Sequence, residues 1–126
     1  MAIEQTIVPA LIADLGVTVR ILHGEQLDDM NPTNVPLVLV SRAGTYWGDW
    51  DTFCSGNSAL AEVTIQVDYI DITLEGARRL CDAGRSTMTN IAGSGPESEF
   101  DVWESDMHVY RVTQLFNVPD YNPSIV

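Results

Sequence analysis

Lysine is absent from this sequence: all six basic residues are arginine, at positions 20, 42, 78, 79, 85 and 111. Against eighteen carboxylates they leave a net charge of −12. A surface of that sign repels nucleic acid and anionic membranes, because holding a phosphate backbone requires clustered cations. Histidine is nearly missing too. His23 and His108 are the two present, and neither has a second ligand type at the spacing of a metal site. No apolar run approaches the roughly 20 residues needed to span a bilayer. The N-terminal stretch has no basic leader and carries Glu4 and Asp14, so a signal peptide is not expected. Asn31 and Asn122 are each followed by proline, and no glycosylation sequon occurs. Reduced thiols at Cys54 and Cys81, and synthesis in a cytoplasm, are the corresponding expectations.

What is present is an ordinary globular balance, 45% apolar in 126 residues. That is room for one domain over 1–126 around a single thin core. Residues 3–14 read as a short amphipathic helix, kinked or shortened by Pro9 and stopped by Gly16. Val17–Leu22 is a β-branched strand. A polar loop leads to a second strand at Leu37–Ser41, closed by Ala43-Gly44. In Glu62–Tyr69, Val63, Ile65, Val67 and Tyr69 alternate with Glu62, Thr64, Gln66 and Asp68, giving a strand with one dry and one wet face.

Thr73 caps a helix over roughly 73–90, with Glu75 in its first turn. Its apolar stripe runs Leu74, Ala77, Cys81, Gly84, Met88 and Ile91, which leaves Arg78, Arg79, Asp82 and Arg85 outside. After a GSGPESE turn at 93–99, Phe100–Trp103 and His108–Val118 form a closing hairpin. Strands in meander runs with two helices packed on one face make a two-layer α+β domain with a mostly antiparallel sheet.

None of the candidate chemical motifs is complete. Cys54 has no triad signature around it, and Cys81 belongs to the apolar stripe. Asp49-x-Asp51 suggests a calcium loop, but Cys54 and Leu60 stand where the turn glycine and the bidentate glutamate belong. Gly93-Ser94-Gly95 lacks the lysine of a phosphate loop. The expectation is a protein without catalytic site, metal or cofactor.

Two other features point to contact surfaces. The stretch 45–58 places Tyr46, Trp47, Trp50 and Phe53 among Gly, Asp and Ser. It is either a docking loop or a lid over the open face of the sheet. Together with Arg78, Arg79 and Arg85 on the helix, these aromatics are the candidate subunit or tube interface. The acidic residues Glu97, Glu99 and Asp101 would share one strand face, about 6.5 Å apart by strand geometry. They read either as a surface to which something must not stick or as an edge protected by charge.

VTIQVDYIDITLEGARRLCDAGRSTM (63–88) is a strand ending Gln-Val-Asp that runs into a capped helix containing Glu-Gly-Ala-Arg. With VYRVTQLFNV (109–118), and more weakly VRILHG (19–24) and VPLVLVSRAG (35–44), it resembles the tail terminator or completion proteins of long-tailed bacteriophages. The aromatic stretch at 45–58 departs from that pattern. The resemblance implies a homo-oligomeric ring, commonly a hexamer, on the head-proximal end of the tail tube. Its partners would be the major tail tube protein and a neck or head-completion protein. DNA would pass through without specific binding, past an acidic lumen to which Glu97, Glu99 and Asp101 are assigned. The location implied is the virion, with assembly in the host cytoplasm. Two alternatives compete: another neck or tube ring subunit, and, from a different class, an acidic DNA-mimic inhibitor, for which only 97–106 has the required carboxylate density.

Overall fold

The computed structural model describes residues 3–21, 33–47 and 61–120. Helix α1 (Glu4–Leu15) begins without a side-chain cap and ends on Gly16, whose left-handed φ of 66° lets its N–H reach the Ile12 carbonyl at 2.9 Å. Pro9 lies within this helix on its exposed side, where water can serve the carbonyl that proline leaves unbonded. The helix therefore runs its full twelve residues.

Strands β1 (Thr18–Ile21) and β2 (Leu37–Trp47) pair in parallel. β2 is longer than the expected 37–41. At Ala43-Gly44 the register against the next strand shifts between Arg42 and Gly44, and pairing then resumes. A bulge absorbs the extra residue and bends the strand, so these small residues interrupt the ladder without ending it. Strand β3 (Ala61–Asp71) is antiparallel to β2 on one side and to β5 (Val109–Asp120) on the other. Helix α2 (Leu74–Ala92) crosses the sheet before β4 (Ser98–Glu104), which pairs with β5. The strand order is β1-β2-β3-β5-β4. The fold is α+β, a mostly antiparallel open sheet with two helices, as its patterning indicates. Among the described residues no helix is long and apolar enough to cross a membrane.

The core lies between sheet and helices. Val63, Ile65, Val67 and Tyr69, the dry face of β3, are fully buried with Val38, Val40 and Phe116 from the neighbouring strands. Ile7 and Leu11 of α1 and Ala77, Cys81 and Met88 of α2 close over them. Deleting one such aromatic, Phe116 for example, costs about 3–5 kcal/mol. Thr73 caps α2 as expected, its Oγ1 accepting the Gly76 N–H at 3.0 Å. Two polar ties fix α1 over this layer. Thr87 Oγ1 donates to Asp14 Oδ2 at 2.5 Å across the helix pair, and Arg42 Nη2 meets Glu4 Oε1 at 2.6 Å.

The face of β3 away from the helices is wet only in part. Asp68 is 2% exposed, and beside it Thr113 is fully buried, with Leu37, Leu39 and Ile70 further along the same face. The Asp68 carboxylate accepts from Thr113 Oγ1 at 2.5 Å and from Gln66 Nε2 at 3.1 Å. Arg111 lies 3.5 Å from it and 2.9 Å from Glu104. Burial of a carboxylate is tolerable here because both of its oxygens have a donor and a guanidinium lies beside it.

Candidate interaction surface

Where α2 passes over β3 and β5, side chains on its outer flank reach across to the edge strand β4. Arginines at 78 and 85 are two turns apart, so both extend toward β4, while Glu99 and Asp101 alternate onto the helix-facing side of that strand. Arg78 holds Asp101 through both its Nε, at 3.1 Å, and its Nη2. Arg85 holds Glu99 at 2.6 Å and reaches Asp82 at 3.2 Å. Arg79 makes the local pair with Glu75, at 2.9 Å, on the open surface of the helix.

Glu99 is the hub of this patch. Besides Arg85 it accepts from the buried Gln114 Nε2 at 2.7 Å and from the Cys81 thiol at 3.4 Å. The Arg85 bond, reinforced by Gln114, holds its carboxyl below the usual range. Beneath it the Cys81 thiol is pushed up to about 12, first by burial and then by the negative charge of Glu99. Such a thiol stays protonated and is a poor nucleophile at neutral pH. The Tyr69 phenol is likewise raised, chiefly by burial, and its hydroxyl is buried without a partner among the described residues. Above Tyr69 sits Gly84. A Cβ there would fall 2.5 Å from Cε1 and 2.7 Å from Cζ of the ring, and closer still to the hydroxyl, so α2 can lie this low only with glycine at that position.

The sequence treats the arginine face of α2 and the acids of 97–101 as two surfaces; the structure makes them one. Glu99 and Asp101 do share a strand face, but it is turned to α2 and tied to arginine. Glu97 stands outside that row. It precedes the strand, and its carboxylate takes the Asn117 amide at 2.8 Å. A shallow recess of about 310 Å³ opens between the rows, lined by Arg78, Cys81, Asp82, Glu99, Phe100 and Asp101. Phe100 and Trp103, 46% and 48% exposed, stand on opposite faces of β4, with the Trp103 ring tilted against that of Tyr110 at 4.6 Å between centroids. The sequence pattern places both in the closing hairpin without marking them as surface aromatics. Their signal was an aromatic in a strand of otherwise charged and small residues.

Of the aromatic stretch, Tyr46 and Trp47 belong to β2, opposite Glu62 and Ala61, and not to a loop. Their side chains, and the whole of Trp50, Phe53 and Cys54, lie outside the described residues, as do Asp49, Asp51 and His23. His108 is exposed in the turn before β5 with φ at 56°, its ring 6.4 Å from that of Trp103. Among the described residues no three His, Cys, Asp or Glu side chains gather in the manner of a metal site. No protein-family model matches the chain, and no curated protein matches it significantly.

Proposed function

We propose that this protein is a ring-forming structural subunit of a phage tail, the terminator or completion protein that caps the head-proximal end of the tube and joins it to the neck. One observation carries the reading. The two stretches most similar to that family, 63–88 and 109–118, form a single unit in the fold. β3 and β5 pair over eleven registered positions, and α2 lies across them. Residues far apart in the chain thus build one framework, and that framework presents the charged and aromatic surface of α2 and β4.

The chemistry of that surface suits contact better than catalysis. Its thiol is buried and held protonated, and its carboxylates are bound to arginines, so no base stands ready beside a nucleophile. In this reading the protein is not an enzyme, takes no cofactor, and works as a homo-oligomer between the tube protein and a neck protein. The net charge of −12 lets DNA pass without being held.

The test is a tube-growth assay. Purified protein added to polymerising tail tube protein is expected to arrest elongation at one end, seen as a narrowed length distribution and an end-bound density in negative stain. Tubes that grow unchanged with the protein in molar excess would end the proposal. A companion gel shift should show no duplex binding at physiological salt. A salt-dependent shift at low micromolar protein contradicts free passage of DNA.

A further inference from the structure

We infer that copies of this chain join edge to edge into one continuous sheet, β4 of each subunit pairing antiparallel with β1 of the next. The inference rests on the ring reading above and names the contact that would build the ring. Among the described residues, β1 and β4 each have a strand neighbour on one side only.

Edge strands are normally defended by uncompensated charge or by proline, because a row of unpaired amides and carbonyls recruits other strands. β4 has no proline, and its charge defence is cancelled from within. Each carboxylate between Ser98 and Glu104 is bound by an arginine of the same chain: Glu99 by Arg85, Asp101 by Arg78, Glu104 by Arg111. A chain with only six cations commits three of them to this one strand. The result is a seven-residue edge with compensated charge and an exposed aromatic on each face.

The occupant follows from direction and charge. β1 runs with β2, β2 against β3, β3 against β5, and β5 against β4, so β4 points opposite to β1. Rotation about an axis along the strands preserves direction, and it keeps the helices of every copy on the same side. The next copy's β1 therefore meets β4 antiparallel, the stronger of the two pairings. A twofold pairing of β4 with itself would instead close at a dimer and bring Glu99 and Asp101 toward their own copies.

Val19 of β1 faces the helix layer, so Thr18 and the exposed Arg20 face the other way. That is the side of Phe100, Val102 and Glu104. β1 carries no carboxylate, and Arg20 is its one charge. A guanidinium beside Phe100 finds an exposed ring face on which to stack. Its four residues would cover about 13 Å of the edge.

Sedimentation and amide exchange test this on the full chain. The wild type should associate with rising concentration, and exchange should slow at 98–104 and 18–21 together. Arg20→Glu and Phe100→Lys, each altering one edge at an exposed position, should each weaken self-association by at least ~30-fold, the effect of removing an interface hot spot. Mixed in equal amounts they should associate again, because one junction is then the wild-type contact and the other sets the introduced lysine beside the introduced glutamate. Wild-type protein that stays monomeric, variants that associate normally, or Arg20→Glu that still dimerises alone would each overturn the pairing. If a variant fails to fold, the wild-type exchange pattern decides. Variants that still cap tubes as rings would sink this contact and leave the tail-terminator reading standing, whereas rings that form but never cap would do the reverse.

Discussion

Replacing Gly84 by alanine ought to help a helix and should harm this one. At an open helical site the change gains about 1 kcal/mol, because glycine has more backbone freedom to lose. Here the new methyl meets the Tyr69 ring at 2.5 and 2.7 Å, well inside contact distance, and the ring is fully buried with nowhere to retreat. Overpacking of that kind costs about 1–3 kcal/mol, and so tight an overlap belongs at the upper end. The net expectation is a loss of about 1–2 kcal/mol, or a fall in Tm of roughly 4–8 °C at this chain length. Tyr69→Phe supplies the control. The phenol oxygen is buried without a partner, so removing it should be neutral or slightly stabilising. In the double variant the closest overlap disappears while the ring contacts remain, so about half the loss should return. Thermal denaturation followed by circular dichroism measures all three proteins. A Gly84→Ala variant more stable than wild type, or a strictly additive double variant, would refute the picture of α2 resting directly on Tyr69.

Three further outcomes are expected. Asp68→Ala removes the acceptor for Thr113, Gln66 and Arg111 at a buried position, and should cost about 3–5 kcal/mol in chemical denaturation; a loss under 1 kcal/mol would mean that this cluster is effectively solvated. Cys81, raised from 9.0 to about 12, should resist thiol reagents at pH 8, and its stabilising effect should be complete below pH 9 and fade as pH climbs toward 12; rapid native-state labelling would contradict its burial. Glu99 has the opposite sign. Its folded-state pKa is depressed, so its contribution is present above the ordinary glutamate range and lost as pH falls through the lowered value, and Glu99→Gln should flatten the acid limb of the stability profile. The pair is more than a third exposed, so the change should be modest, under about 1 kcal/mol.

Periodicity made much of this architecture legible. Alternation in 62–69 and the three-and-four spacing of 74–91 reported side-chain direction, and those residues point where the pattern says. The bulge at Ala43-Gly44 was hidden because small residues after a strand are also the usual sign of its end. Burial of Asp68 was hidden for a related reason. A carboxylate in an alternating strand looks solvated until the strand that brings Thr113 and Arg111 beside it is known, and that strand lies some 45 residues away. The meeting of the α2 arginines with Glu99 and Asp101 likewise depends on the order β3-β5-β4, which no local pattern encodes.

That order also determines when the molecule can exist. β5, the last of the described strands, lies inside the sheet between β3 and β4. Until it leaves the ribosome, β4 has no sheet to join, and the far side of β3 has no partner. The closing pairs join residues such as Ile65 and Phe116, or Val67 and Gln114, so the ladder cannot form early from neighbours in sequence. A chain truncated before β5 is consequently expected to lack an ordered β4 edge. The exposed edge at β4 is therefore the product of the β3–β5 closure and cannot precede it.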